Sequence, residues 1–227
     1  VLTLIERDKD QKEPQREIAK KCGITVGIAN KVLSELQEME LLKAEENSRY
    51  AVTLKGYEFL EPYRVKKAIF MAAGFGSRMV PVTLNTPKPL IKVHGKRIID
   101  TLLDAVLDAG ITDITIVRGY LGEQFDLLLK KYPMIKFVEN PIYNEANNIS
   151  SAYVIRDMLA NAYVLESDLL LYNPKIIRKY VYTTNYLGMP VDVTDDWCFE
   201  TRKGYITKIR VGGEHVHHMF GISYWNK

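Results

Sequence analysis

The sequence predicts an α/β protein: a mostly parallel sheet flanked by helices, preceded by a small winged helix-turn-helix domain. Three observations predict it. Past residue 65, short apolar runs alternate with segments whose apolar positions recur at helical spacing. Residues 68–90, AIFMAAGFGSRMVPVTLNTPKPL, pass from an apolar run straight into a glycine turn. Residues 1–64 read instead as helix, turn, helix and two short strands.

In the first domain, taken as residues 1–64, Gln15 to Cys22 after Pro14 predicts a short helix, and Gly23 the turn. Thr25 is the N-cap of a second helix running to about Met39, with Ile28, Val32, Leu33 and Leu36 on its apolar face. Strands follow from Leu41 and from Ser48 to Thr53, then a helix over Leu54 to Leu60. The second domain, 65–227, opens with a strand over Ala68 to Ala73. A helix is expected near 97–109, where Ile98, Leu102, Leu103 and Val106 share a face. Then come a strand at 114–117, a helix at 122–131, a strand at 135–138, a helix at 148–159 and a strand at 162–165. Strands and helices in that alternation predict parallel pairing, with ligands bound beyond the carboxyl ends of the strands.

Composition sets bounds. The chain has 227 residues, a formal net charge of +3 and two cysteines, Cys22 and Cys198, which suit reduced thiols and a cytoplasmic protein. No apolar run reaches the roughly 18 residues of a membrane span. Val1 is not a natural start, so residues are expected before it. A DNA-reading first domain would use Thr25, Asn30 and Lys31 with Arg49 on the wing. Yet residues 1–64 hold 11 Lys and Arg against 12 Asp and Glu, a net of −1, where phosphate binding leaves a basic footprint. DNA is therefore weakly supported, and a protein-binding or regulatory module stands beside it.

The glycine turn carries the chemistry. Ala73, Gly74, Gly76 and Ser77 let backbone N–H groups approach a ligand, and Arg78 and Lys88 add positive charge. It is not a Walker A loop. Position 79 is Met, so it is not a dinucleotide fingerprint either. Pro81 and Pro87 block an immediate helix and leave the phosphates in a long loop. A nucleoside triphosphate suits this turn.

The string G-x-G-S-R-M-x-P-x-T-x-x-x-P-K-P-L resembles the signature of nucleotidyltransferases that join a nucleoside triphosphate to a phosphorylated sugar or alcohol and release pyrophosphate. With residues 119–125 (GYLGEQF), 143–151 (YNEANNISS) and Asp195-Asp196-Trp197, the chain is most similar to bacterial choline-phosphate cytidylyltransferases over about 66–226. The resemblance implies a Rossmann-like nucleotidyltransferase fold and Mg²⁺-dependent transfer of a cytidylyl group from CTP to phosphocholine. It implies Arg78 on the leaving pyrophosphate, Lys88 on the α-phosphate and the acceptor, and a metal-binding Asp168, with Glu166 a second candidate. Tyr120, Tyr143, Asn147, Asn148 and Ser150 would select cytosine. Asp195, Trp197 and Tyr224 would hold choline, with Tyr172 and Trp225 as further walls. The family's other metal aspartate has no counterpart in Gly221 to Asn226. Either that ligand lies beyond residue 227, where the closing helices and a fused or partner choline kinase are also expected, or the coordination differs. His215, His217 and His218 are expected in a polar strand or hairpin, without a metal. Two rivals stand: a sugar-1-phosphate nucleotidyltransferase using another base, and a winged-helix transcriptional regulator that senses a nucleotide or phosphocholine.

Overall fold

In the computed structural model, residues 1–8, 14–45, 49–145 and 148–226 are described, Asn148 by its backbone alone. The chain divides into two compact units: residues 1–64 with 178–181, and residues 65–177 with 182–227.

The first unit holds helices α1 (Leu2–Arg7), α2 (Gln15–Cys22) and α3 (Val26–Glu38), strands β1 (Leu42–Glu45) and β2 (Arg49–Val52), and helix α4 (Leu54–Leu60). All but α1 lie where the sequence pattern put them. Gly23 ends α2 in the left-handed conformation, φ +65°. The Thr25 hydroxyl accepts from the Ile28 N–H and caps α3. The Thr53 hydroxyl accepts from the Gly56 N–H and so caps α4. β1 and β2 pair antiparallel, Leu42 opposite Val52 and Glu45 opposite Arg49. One residue from far along the chain completes the core. Tyr180, 3 % exposed, packs with Leu2, Leu4, Ile5, Ile18, Leu33, Leu41, Leu42 and Leu60. The segment 178–181 is held by a bridge from Arg64 to Tyr180, by the Val181 N–H donating to the Tyr63 carbonyl, and by Lys179 4.0 Å from Glu6.

The second unit is built on one six-stranded sheet. Its strands are β3 (Lys67–Ala72), β6 (Asp113–Arg118), β7 (Lys136–Glu139), β8 (Ala162–Glu166), β9 (Asn185–Arg202) and β10 (Tyr205–Trp225), and a small ribbon pairs β4 (Lys92–Val93) with β5 (Lys96–Arg97). The strand order is β7-β6-β3-β8-β10-β9. β3, β6, β7 and β8 run parallel, and β10 joins β8 and β9 antiparallel. β3 is central and buries Ala68, Ile69, Phe70 and Ala72, as a strand covered on both faces must. Helices α5 (Ile98–Asp108) and α6 (Asn148–Val154) supply cover. α5 buries Ile98, Ile99, Leu102, Leu103, Ala105 and Val106.

Two expected helices differ. The segment Gly122–Lys130 is 3₁₀, because its buried residues Gly122, Phe125 and Leu128 recur every third position, the period of that helix. The helix expected over 148–159 stops at Val154, and Arg156–Met158 form a 3₁₀ turn after Ile155, which is fully buried against Ile69, Val117 and Ala162. The long β9–β10 hairpin closes through Lys203 and Gly204, both at positive φ. Among the described residues no helix is long and apolar enough to cross a membrane.

Candidate active site

From β3 the chain moves to β6 and β7 on one side of the sheet, then returns to β8 on the other. The carboxyl ends of β3 and β8 therefore diverge in their connections, which opens a crevice between them. A cavity of about 440 Å³ lies there, lined by Met71, Ala72, Gly74, Gly76, Arg78, Met79, Lys88, Pro89, Glu166, Ser167, Asp168, Asp196 and Trp197.

The loop after β3 is shaped by its glycines and prolines. It makes three short 3₁₀ turns, Ser77–Met79, Val82–Leu84 and Lys88–Leu90, in place of a helix. A Cβ on Gly74 would meet nothing within 4 Å, so its backbone is open to a ligand. Gly76 has φ +69°, and a Cβ there would stand 3.2 Å from Thr83 Cγ2 and 3.3 Å from Lys88 Cβ. The buried Thr83 hydroxyl donates to the Gly76 carbonyl at 3.1 Å and ties the loop to itself. Lys88 is thus packed on the glycine turn at its base, with its ammonium in the cavity.

Across the crevice, Ser167 fixes the end of β8. Its hydroxyl donates to the Met71 carbonyl at 2.7 Å. Asp168 follows, and its Oδ2 lies 2.5 Å from Lys88 Nζ. Glu166 stands on the same wall. Burial first, then the neighbouring Asp168 and Asp196 carboxylates, push its carboxyl above the usual carboxylate range, with Lys88 and Arg78 pulling the other way. A raised carboxyl favours the protonated form of the folded chain. Its stabilising contribution is present below the ordinary Glu range and is lost as pH rises through the raised value. Glu166→Gln should therefore melt a few degrees above wild type at pH 8 and level with it at pH 4. Equal melting at both pH values would refute this.

The structure brings Gly74, Gly76, Arg78, Lys88, Asp168 and Trp197 to one cavity. Other expected residues are placed elsewhere. Ala73 is buried just behind the wall, and its carbonyl accepts from the Tyr120 N–H. Ser77 is not on the wall and opens the first 3₁₀ turn. Tyr120 braces the loop: its hydroxyl donates to the Leu84 carbonyl, and its ring meets Phe75 edge-on at 4.7 Å. Tyr143 lies over Gly119 at the carboxyl edge, where a Cβ would come within 2.6 Å of Tyr143 Cγ. Gly119→Ala should cost roughly 1–3 kcal/mol through that clash, measured by denaturant unfolding.

Ser150 is buried, and its hydroxyl accepts from Asn140. Asn147 and the side chain of Asn148 lie outside the described residues. Tyr224 is 1 % exposed, pairs with Tyr163 near the start of β8, and donates to Asn161, so it sits at the other end of the strand from the cavity. Tyr172 and Trp225 are exposed and off the wall as well.

The wall carries Asp196 where Asp195 was expected. Val211 pairs with Trp197 and Gly213 with Thr194, so Asp195 and Asp196 together face Gly212 alone. That bulge breaks the two-residue alternation and puts consecutive residues, Asp196 and Trp197, on one face. The Gly212-Gly213 pair opposite was the sequence signal. The histidines do not gather. His217 stacks on Phe199, His218 meets the Thr194 hydroxyl, and His215 is exposed.

Among the described residues no group of three or more His, Cys, Asp or Glu is arranged to hold a metal by itself. Three carboxylates, Glu166, Asp168 and Asp196, do share the wall, and such hard oxygen donors fit a Mg²⁺ ion that completes its shell with waters and phosphate oxygens.

The family profile described as nucleotidyl transferase matches residues 67–184. The chain is 41% identical over 163 residues to a 2-aminoethylphosphonate cytidylyltransferase of Lancefieldella rimae, covering 70% of this chain and 66% of that protein. It is 35% identical over 161 residues to a choline-phosphate cytidylyltransferase of Streptococcus pneumoniae, covering 70% of each. The solved structure of the CTP:phosphocholine cytidylyltransferase from Streptococcus pneumoniae superposes with a TM-score of 0.67 at 36% identity over 72% of each chain. The chain thus spans about two thirds of the length of these relatives. A glycine loop, its arginine and lysine, and an aspartate gathered at the β3–β8 crevice agree with that match: the chain belongs to the nucleotidyl transferase family.

Proposed function

We propose that this chain transfers a cytidylyl group from CTP to a small acceptor with an anionic phosphorus group at one end and a cationic nitrogen at the other. Phosphocholine is such an acceptor, and 2-aminoethylphosphonate another. The observation that carries this reading is one cavity lined by two kinds of group. Gly74, Gly76, Arg78 and Lys88 suit phosphates, and Asp196 with Trp197 suits a cation. The names of the relatives support cytosine as the base.

An oxygen of the acceptor's phosphate or phosphonate attacks the α-phosphorus in line. A new P–O–P link forms, the bond to the oxygen bridging toward the β-phosphate breaks, and pyrophosphate leaves with that electron pair. The ionised acceptor is already a nucleophile, so no side chain need remove a proton. The protein's work is to align two anions and offset their charge. Arg78 offers a planar fork to the leaving phosphates. Lys88, seated on Gly76, faces the reacting phosphorus. Asp168 and Glu166 would hold Mg²⁺, which when bound neutralises phosphate oxygens. Trp197 presents its face to the cationic head, and Asp196 its charge.

The test is pyrophosphate release across CTP, UTP, dTTP, ATP and GTP, each with phosphocholine, 2-aminoethylphosphonate and glucose 1-phosphate. Turnover confined to CTP with the amine acceptors is expected. Turnover with glucose 1-phosphate and none with the amines would overturn the reading in favour of a sugar nucleotidyltransferase.

The first unit we take as a winged helix-turn-helix that serves as a regulatory or protein-binding module. Its near-balanced charge supports this over DNA. So does α3, where Lys31 stands 3.9 Å from Glu35, while the Arg49 Nε is buried with no hydrogen-bond partner among the described residues. Tight, salt-sensitive binding to duplex DNA would reverse that preference.

A further inference from the structure

Asp196 and Trp197 line the cavity although both are exposed, so something other than burial must hold them there. They lie where the β9–β10 hairpin turns a corner. Thr194 pairs with Gly213 before it and Trp197 with Val211 after it, while Gly212, at φ +72°, faces Asp195 and Asp196 together. A bulge of that kind bends the strand and takes backbone N–H groups out of the ladder. Here a side chain takes one up. The Thr194 hydroxyl accepts from the Asp196 N–H at 3.2 Å. The Trp197 N–H donates to Asp196 Oδ1 at 2.7 Å. Those two bonds fix the backbone at Asp196 and one oxygen of its carboxylate. The Thr194 hydroxyl is held in turn, 3.1 Å from Nδ1 of the half-buried His218. His218 stands opposite Met189, before the bulge, and Cys198, after it, and its ring meets Phe220 edge-on. It is thus anchored to both arms of the corner.

We propose that Thr194 and His218 are positioning residues for the acceptor: a hydrogen-bond chain from His218 through Thr194 to Asp196 holds the corner in the shape that presents Asp196 and Trp197 to the cationic nitrogen. The inference rests on the reading of Asp196 and Trp197 as the groups that suit that cation. A hydroxyl accepts and donates at once, so Thr194 serves Asp196 with its oxygen and His218 with its proton. The imidazole then carries its own proton on Nε2. Among the described residues no hydrogen bond joins this chain to Gly74, Gly76, Arg78 or Lys88. It therefore sets the binding of the acceptor and leaves that of the triphosphate alone.

The test is steady-state pyrophosphate release by the full chain with CTP, varying 2-aminoethylphosphonate and phosphocholine in turn. Thr194→Val and His218→Ala should each raise KM for the acceptor roughly 5–10-fold, the scale of one lost hydrogen bond. KM for CTP should stay within about twofold of wild type. Thr194→Ser, which keeps the hydroxyl, should restore the acceptor KM, and His218→Asn, whose amide can take the place of Nδ1, should restore part of it. In an Asp196→Ala background Thr194→Val should add nothing, because it acts through Asp196. An unchanged acceptor KM in both Thr194→Val and His218→Ala would overturn this inference and leave the transfer reading standing. So would an equal rise in KM for CTP and acceptor, which marks a general loss of shape. A wild-type chain that turns over glucose 1-phosphate and neither amine would overturn both.

Discussion

Replacing Lys88 with alanine is expected to lower kcat for pyrophosphate release by roughly 10²–10³-fold, the usual cost of removing one aligned charge donor from a phosphoryl or acyl transition state. The ammonium faces the cavity from a backbone pinned by Gly76 and Thr83, so its charge is already in place when a substrate arrives. KM for CTP should change less than kcat, because the charge on the reacting oxygens grows in the transition state. Removing Lys88 also strips Asp168 of its ion pair and leaves a further uncompensated carboxylate in the crevice. Lys88→Arg should rescue little, since a guanidinium is a planar fork and not a compact charge. Steady-state rates within threefold of wild type would exclude Lys88 from the reaction.

Tyr180→Ala should destabilise the first unit by about 3–5 kcal/mol, as for other large aromatic side chains truncated in a core. The ring is buried among eight apolar residues of that unit, and the Arg64 guanidinium lies over it at 5.5 Å. Tyr180→Phe should cost only about 0.5–1.5 kcal/mol, the worth of the hydroxyl's hydrogen bond from Arg64. Hydrogen exchange of the α1–α4 amides resolves the two. Alanine should raise exchange throughout those helices, and phenylalanine should barely change it. Unchanged protection in the alanine variant would show that the core does not depend on Tyr180.

The parallel strands and the loop between 73 and 90 were legible because local sequence dictates them. A run buried on both faces has no polar alternation to hide it, and glycine and proline restrict the backbone wherever they stand. Arg78 and Lys88 lie in the loop that leaves β3 and Asp168 just past the end of β8, and the cavity gathers all three. What was not legible depends on distant pairing. Asp196 displaces Asp195 because Gly212, on another strand, stands opposite both. Tyr224 was expected among the aromatic walls of the choline site, but strand register carries it to the far end of β8. Gly122, Phe125 and Leu128 suit a helix of either pitch, and packing chose the tighter one. Tyr180 joins a core whose other members lie more than a hundred residues earlier, and no periodicity announces that.

The position of Tyr180 also sets an order of events during synthesis. Domains made first usually fold first, while the rest of the chain is still emerging. Here residues 1–64 leave the ribosome without the ring that fills their core. The 116 residues from 65 to 180 take roughly 6–25 s to add at about 5–20 residues per second. For that interval the nascent helices have an open apolar cleft, and the first unit must wait for a later segment before its folding is complete.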